Sequence, residues 1–292
     1  MIRLVYPTDP NFGDAMSPLI VAKLSGQKVV PSGMWNADMM AVGSVFYRGD
    51  SFMADTYHAK LKRRIKAVAW DFRRVTSRPV IVWGSGFLQY PPIKQPHIMR
   101  NFKVLALRGL YTRRILEKYG LMSSKEQVAY GDPGLLFAKL FDINTKKEYE
   151  WGVIPHMYDA DLGWWDRIQQ AMSKIGVRAH MIDAREDPVK VVSEIAKCER
   201  LMSSSLHGLI VADSLGIPSL HLGLSTLEFP QVDFELKFRD YYSALGEEMP
   251  PIIDGEDFVA SPLKYLEKAK FHVPNTDKII AIQEELMKAS PF

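Results

Sequence analysis

The segment Ser203-Ser204-Ser205-Leu206-His207-Gly208 gathers more chemically useful groups than any other stretch of the chain. An extended run, Arg200 to Ser203, ends in hydroxyls, and the apolar run Leu209 to Leu215 reads as a helix beginning at the same place. Side-chain hydroxyls and the unpaired amides of a first helical turn would converge there, which suits a phosphate. His207 would stand at the helix mouth, where the dipole lowers imidazole basicity and a bound phosphate raises it, so its proton could be passed to a reacting group. A capping serine beside a core histidine is the plainer alternative. His156, after Val153-Ile154-Pro155, is a second imidazole at a strand end.

Other candidates lie earlier. In Asn11-Phe12-Gly13-Asp14 a glycine between short polar side chains turns the backbone into a helix read from Ala15 to Leu24. Asp14 either caps that helix or offers a carboxylate that takes a proton from an acceptor hydroxyl. Gly84-Ser85-Gly86 would let a ligand approach backbone N–H groups, but without a third glycine and a downstream acid it gives no dinucleotide site. Arg108, at a strand end before Gly109 and Thr112, combines a fork of donors with free amides and suits anion binding. Asp132 in Gly131-Asp132-Pro133-Gly134 reads as a turn residue. Asp159-Ala160-Asp161 matches the Asp-x-Asp of metal-dependent sugar-nucleotide enzymes, yet Asp161 is a good helix cap. There is no His-Glu-x-x-His, Cys-x-x-Cys or Walker loop, so no required metal is indicated.

The elements that must position these groups alternate. Strand-like runs at 2–6, 39–42, 79–83, 103–107 and 127–130 are separated by helix-like stretches, including Leu110 to Tyr119. After the polar run 142–148 the pattern restarts, with strands at 151–154, 177–182, 200–203 and 217–222 and helices at 161–175, 188–196 and 206–215. Alternation of this kind argues for parallel sheets with crossover helices, an α/β fold. The reading is a first Rossmann-like domain over 1–143, a second over 149–276, and an amphipathic helix over 277–292 that packs back on the first. Beyond about residue 228 the sequence reads as less regular. Ligands of open α/β sheets sit beyond the carboxyl ends of the strands, so the expected site is the cleft between the domains.

The chain's 292 residues are 47% hydrophobic and 24% charged, which excludes disorder and fibrous repeats. A single cysteine, Cys198, excludes an internal disulfide framework and fits a reducing compartment. The opening apolar stretch is too short for a signal peptide, and the apolar region 206–224 is broken by His207, Asp213 and Pro218, so a cytoplasmic protein is expected. The net charge of +3 hides a division: residues 1–150 carry 23 basic and 12 acidic side chains, residues 151–292 carry 14 and 22. Lys60, Lys62, Arg63, Arg64, Lys66, Arg73, Arg74 and Arg78 form a basic segment, either a solvated surface or a contact for anionic headgroups at the inner face of a membrane. Nothing points to nucleic acid.

Taken in order, these motifs resemble the polysaccharide pyruvyl transferase family. The resemblance rests on Asn11 to Asp14, Gly84-Ser85-Gly86, Arg108-Gly109 with Thr112, Gly131 to Gly134, Ile154-Pro155-His156, Ser204 to Asp213 and Gly216-Ile217-Pro218, covering roughly residues 5 to 225. Many members carry Arg-Asp after the fifth strand and an arginine directly before Leu-His-Gly; here those positions hold Arg108-Gly109 and Ser205. The resemblance implies a two-domain form similar to the B-type glycosyltransferases. It also implies transfer of a pyruvyl group from phosphoenolpyruvate, with no further cofactor, to two hydroxyls of a free or lipid-linked sugar, giving a cyclic ketal and phosphate. Carried onto this chain, His207 would be the acid, Arg108 the anion clamp and Asp14 the acceptor base. Asn11, Gly84, Ser85, Gly86, His156, Ser204 and Ser205 would help hold the ligands. The competing readings are a nucleotide-sugar glycosyltransferase, with Asp183, Glu186 or Asp187 on the ribose, and a non-catalytic carbohydrate-binding relative.

Overall fold

Alternating strands and helices build two parallel sheets. The computed structural model describes residues 1–46, 53–55, 77–91, 96–98, 101–224, 235–268 and 270–292. Of the basic segment, residues 60–76 lie outside the described residues.

The first sheet uses β1 (Ile2–Val5), β2 (Val29–Pro31), β3 (Met39–Met40), β5 (Val80–Trp83), β7 (Phe102–Leu107) and β8 (Ala129–Tyr130), in the order β2-β1-β3-β5-β7-β8. Its pairings are all parallel, for example Leu4 beside Met39 and Val82 beside Val104. β4 (Met53–Asp55) and β6 (Pro96–Ile98) form a separate antiparallel pair. Helices α1 (Phe12–Ser25), α2 (Leu110–Lys118) and α3 (Phe137–Leu140) belong to this half. The helix α1 starts earlier than its sequence pattern suggests, because Asn11 is the cap: its side-chain oxygen accepts from Gly13 N at 3.0 Å. Asp14 therefore stands inside the first turn and does not cap. Gly26 ends the helix in the left-handed conformation, φ 65°, returning its N–H to Ala22.

The second sheet contains β9 (Tyr149–Ile154), β10 (Ala179–Met181), β11 (Cys198–Ser203), β12 (Ser219–Gly223) and β13 (Ile252–Asp254), in the parallel order β10-β9-β11-β12-β13. Its helices are α4 (Met157–Ala160), α5 (Trp164–Lys174), α6 (Pro188–Ala196), α7 (Leu206–Ser214), α8 (Leu236–Ala244), α9 (Gly255–Ala260) and α10 (Pro262–Lys268). The region read as irregular thus contains α8, a strand and two short helices.

An apolar seam joins the halves. Phe12, Met16 and Ile20 of α1 share one buried cluster with Val192 and Ile195 of α6 and with Val211 of α7. Each such side chain removed from water contributes about 1.5–3 kcal/mol. Phe12 N also donates to Ala184 O at 2.9 Å, which fixes the start of α1 against the loop after β10. The last helix, α11 (Thr276–Lys288), lies along the first sheet: Trp83 Nε1 donates to Leu286 O at 2.9 Å, and Gln283 Nε2 donates to Leu135 O at 2.7 Å. Among the described residues no helix is long and apolar enough to cross a membrane.

Candidate active site

The carboxyl ends of β1, β9, β11 and β12 open on a cavity of about 770 Å³. Asn11, Asp14 and Ser44 line it from the first half, and His156, Ser204, Ser205, His207, His221, Lys237 and Phe238 from the second.

His207 is the point of contact between the two signature motifs. Its ring lies over α1 so closely that a Cβ on Gly13 would come 2.1 Å from His207 Nδ1, and Phe12 meets the ring edge-on with centroids 6.4 Å apart. Gly13 is therefore required by the imidazole and not only by the turn. The other nitrogen, Nε2, is buried without a hydrogen bond and faces Asp132 Oδ2 at 3.9 Å, itself buried and unpaired. Burial first, then the positive charges of Lys237, Arg108 and His156, pushes His207 down to about 3, so the ring is neutral at physiological pH in this environment. Burial raises Asp132 to about 6, although Gly134 N donates to its Oδ1 at 2.8 Å. Asp132 does order the turn before Pro133, and it also backs His207.

Ser205 occupies the cap position of α7, yet its hydroxyl makes no cap hydrogen bond. The first-turn amides keep their donors, as an anion-binding turn requires. Ser204 is fixed from both sides: its hydroxyl donates to Asp159 Oδ2 and accepts from His156 N at 2.8 Å. Asp159 is fully buried, which is the role of the first aspartate of the Asp-x-Asp; Asp161 is exposed and pairs with Arg185 at 2.8 Å. Among the described residues no cluster of three or more His, Cys, Asp or Glu side chains could hold a metal ion. The His156 side chain accepts from Tyr158 N at 3.4 Å, and burial followed by the charge of Lys237 lowers it to about 3.

The structure places four of the expected groups elsewhere. Arg108 is buried and does not line the cavity: Nε pairs with Asp240 Oδ2 at 3.0 Å, one terminal nitrogen donates to Ser44 Oγ at 2.6 Å and the other to Phe87 O at 2.6 Å. With those donors committed to protein, its guanidinium holds α8 against the first half, and only Ser44 carries that arrangement to the cavity wall. Gly84, Ser85 and Gly86 are likewise internal. A Cβ on Gly84, which has φ +88°, would meet Pro133 at 2.2 Å, and one on Gly86 would meet the Arg108 guanidinium at 2.4 Å. The Ser85 hydroxyl donates to Ala41 O. These glycines admit neighbouring protein groups and not a ligand.

Lys237, His221 and Phe238 enter the site without having been singled out. His221 stacks on Phe238 with centroids 4.0 Å apart, and burial, then the charge of Lys237, pushes it down to about 3. Its place near the carboxyl end of an apolar strand is the same signal that marks His156. Lys237 and Phe238 sit in α8, whose sequence shows no such signal.

The carboxylates considered for a ribose are occupied. Asp183 pairs with Arg185, Glu186 with Lys190, and Asp187 caps α6; none lines the cavity.

The sequence model of the polysaccharide pyruvyl transferase family matches residues 36–226 of this chain, most of both sheets. The chain belongs to this family. Among curated proteins this family member is similar to an uncharacterized protein of Acanthamoeba polyphaga mimivirus, 31% identical over 178 residues, which is 59% of this chain and 57% of that protein. It is also similar to the succinoglycan biosynthesis protein ExoV of Rhizobium meliloti (strain 1021), 27% identical over 146 residues, 50% of this chain and 42% of that protein. The chain thus spans about half the length of the curated relatives it matches. Among solved structures it is similar in fold to the spinosyn rhamnosyltransferase SpnG complexed with thymidine diphosphate, with TM-score 0.44, 14% identity, and 99% and 96% of the two chains covered. It is similar to the UDP-GlcNAc 2-epimerase of Methanocaldococcus jannaschii with TM-score 0.46, 11% identity, and 86% and 76% covered.

One position where this pyruvyl transferase family member departs from the pattern, Gly109, has a local reason. A Cβ on Gly109 would fall 1.7 Å from the Asp240 carbonyl, so α8 can approach only over glycine. Asp240 then supplies the carboxylate that Arg108 would otherwise lack.

Proposed function

We propose that the chain transfers the pyruvyl group of phosphoenolpyruvate to two hydroxyls of one sugar in a polysaccharide or its precursor, forming a cyclic ketal and releasing phosphate. The observation that supports this reading is that Asp14, from the first half, and His207, at the mouth of α7, share one cavity with uncommitted first-turn amides.

The reaction needs a proton at the methylene carbon, a base for the attacking hydroxyl and a place for the departing phosphate. Among its protein neighbours alone, His207 is neutral. A phosphate against the first turn of α7 offsets the surrounding positive charge and raises the proton affinity of the ring. Protonated in this way, His207 delivers its proton to the methylene carbon, the double-bond electron pair forms the new C–H bond, and the proton that Asp14 takes in the next step returns through solvent to His207 to complete the cycle. The adjacent carbon becomes oxocarbenium-like and is attacked by a sugar hydroxyl whose proton goes to Asp14. The C–O bond to phosphate breaks, the second hydroxyl closes the ring, and its proton leaves with the phosphate. The two hydroxyl protons are balanced by one C–H of the new methyl group and one proton on phosphate. Hydrogen bonds from the α7 amides stabilise charge on the leaving group. No step calls on a cofactor beyond phosphoenolpyruvate.

The test is a phosphate-release assay with phosphoenolpyruvate over a panel of galactosides, glucosides and N-acetylmannosaminides. Acceptor-dependent phosphate release with a ketal on the sugar is expected. Saturable saccharide binding without release would support the carbohydrate-binding reading, and release from nucleotide sugars the glycosyltransferase. The basic segment, Lys60 to Arg78, is proposed to bring the protein to anionic lipid carrying the acceptor; vesicle sedimentation at low salt that is abolished at high salt is the expected behaviour.

A further inference from the structure

Among the described residues, one cation lines the cavity. Lys237 projects from the first turn of α8, half-buried, and no described carboxylate forms an ion pair with it. Its surroundings can be read from every element packed around it. Asp14 on α1 and Asp159 on α4 favour its charge, whereas burial and Arg108 beyond β7 oppose it. His156, His207 and His221 all feel its charge, so it stands among the three cavity imidazoles. The remaining acids of the lining, Asp9 and Glu235, are exposed. Opposition outweighs support, and Lys237 is pushed down to about 8. Its ammonium lies over the Phe238 ring, 5.1 Å from the centroid, a contact that supplies no anion, and a partly desolvated charge of this kind is costly until an anion arrives.

We propose that Lys237 is the donor anchor: its ammonium holds the phosphate of phosphoenolpyruvate against the first turn of α7, beside His207. The assignment rests on the pyruvyl-transfer reading for the identity of the anion, and on the cavity for its place. Arg108, which the sequence offers for this role, has its donors committed to Asp240, Ser44 and Phe87. Ser205 makes no cap hydrogen bond to the amides of α7, whose first residues line the same cavity as Lys237, so a phosphate there would be met by a point charge and by backbone donors together. Binding energy would then come from α8, which lies beyond the matched family region, residues 36–226.

The experiment is calorimetric titration of the full chain with phosphoenolpyruvate and, separately, inorganic phosphate, using wild type, Lys237→Met and Lys237→Arg, with KM measured for donor and acceptor. Lys237→Met is expected to weaken both ligands about 10- to 100-fold, the loss of one charge-assisted bond, while melting at the wild-type temperature or above. Lys237→Arg, which keeps the charge, is expected to recover most of that affinity. Wild-type affinity in a folded Lys237→Met variant would overturn the proposal. So would an unchanged donor affinity with a raised acceptor KM, because the lysine would then serve the Asp14 side. If the wild type binds inorganic phosphate through Lys237 but not phosphoenolpyruvate, the anion site stands and the pyruvyl-transfer reading falls; if it binds neither, both fall.

Discussion

Removing the Asp240 carboxylate should loosen the joint between the halves. Arg108 and Asp240 are 0% and 1% exposed in their side chains, and their nitrogen and oxygen are 3.0 Å apart. The same carboxylate accepts Thr112 N at 2.8 Å and the Thr112 hydroxyl at 2.7 Å. In Asp240→Ala the guanidinium keeps only Ser44 and the Phe87 carbonyl, and Thr112 N loses its acceptor. Stripping one partner from a buried pair costs about 3–5 kcal/mol, since the remaining charge is left desolvated. For a chain of this size that lowers the melting temperature by about 10 °C. Arg108→Met combined with Asp240→Leu removes both charges and should melt well above Asp240→Ala, because apolar pairs of similar volume replace buried ion pairs at little cost. Scanning calorimetry on the three proteins decides the matter. If Asp240→Ala melts within about 2 °C of wild type, the pair is not a structural joint. Arg108 would then be available as an anion clamp.

Three further outcomes follow from the cavity. His207→Ala should cut turnover by about 10²–10⁴-fold with the melting temperature nearly unchanged, as loss of an acid–base group does; near-normal turnover would remove His207 from the chemistry. Gly13→Ala places a methyl 2.1 Å from His207 Nδ1 and should sharply reduce activity at a stability cost of about 1–3 kcal/mol, whereas Gly33→Ala, with open space around it, should do neither. Asp132 titrates at about 6 when folded, above its ordinary 3.8, so the folded chain holds the extra proton between those values and stability falls as pH rises through that window. Asp132→Asn abolishes that slope; it should raise the melting temperature at pH 7.5, by up to about 3 kcal/mol in stability, while lowering turnover, and parallel pH profiles for the two proteins would count against a buried ionised Asp132.

Most of the fold was legible because the runs at 79–83, 103–107 and 200–203 end in buried residues, Val82 and Trp83, Ala106 and Leu107, Leu201 and Met202, and alternate with helices that carry caps or stops. The same alternation brought Asp14, His156 and His207 to strand ends around one cavity. What could not be read was α8. Leu236, Phe238, Asp240, Tyr241 and Tyr242 are buried around much of its circumference, so no apolar stripe repeats at helical spacing, and Glu235 gives it no side-chain cap. With α8 unread, Asp240 could not be seen as the partner of Arg108, nor Lys237 as the cavity's cation. The glycines at 84 and 86 misled for a related reason: a missing side chain marks a close approach, and sequence does not say whether protein or ligand makes it.

The central claim, pyruvyl transfer with cleavage of the bond between carbon and the phosphate oxygen, is tested most directly by following that oxygen. Phosphoenolpyruvate labelled with heavy oxygen at the bridging position should yield labelled inorganic phosphate and an unlabelled ketal, because both ketal oxygens come from the sugar. Label retained in the pyruvyl product, or released as labelled free pyruvate, would contradict the account.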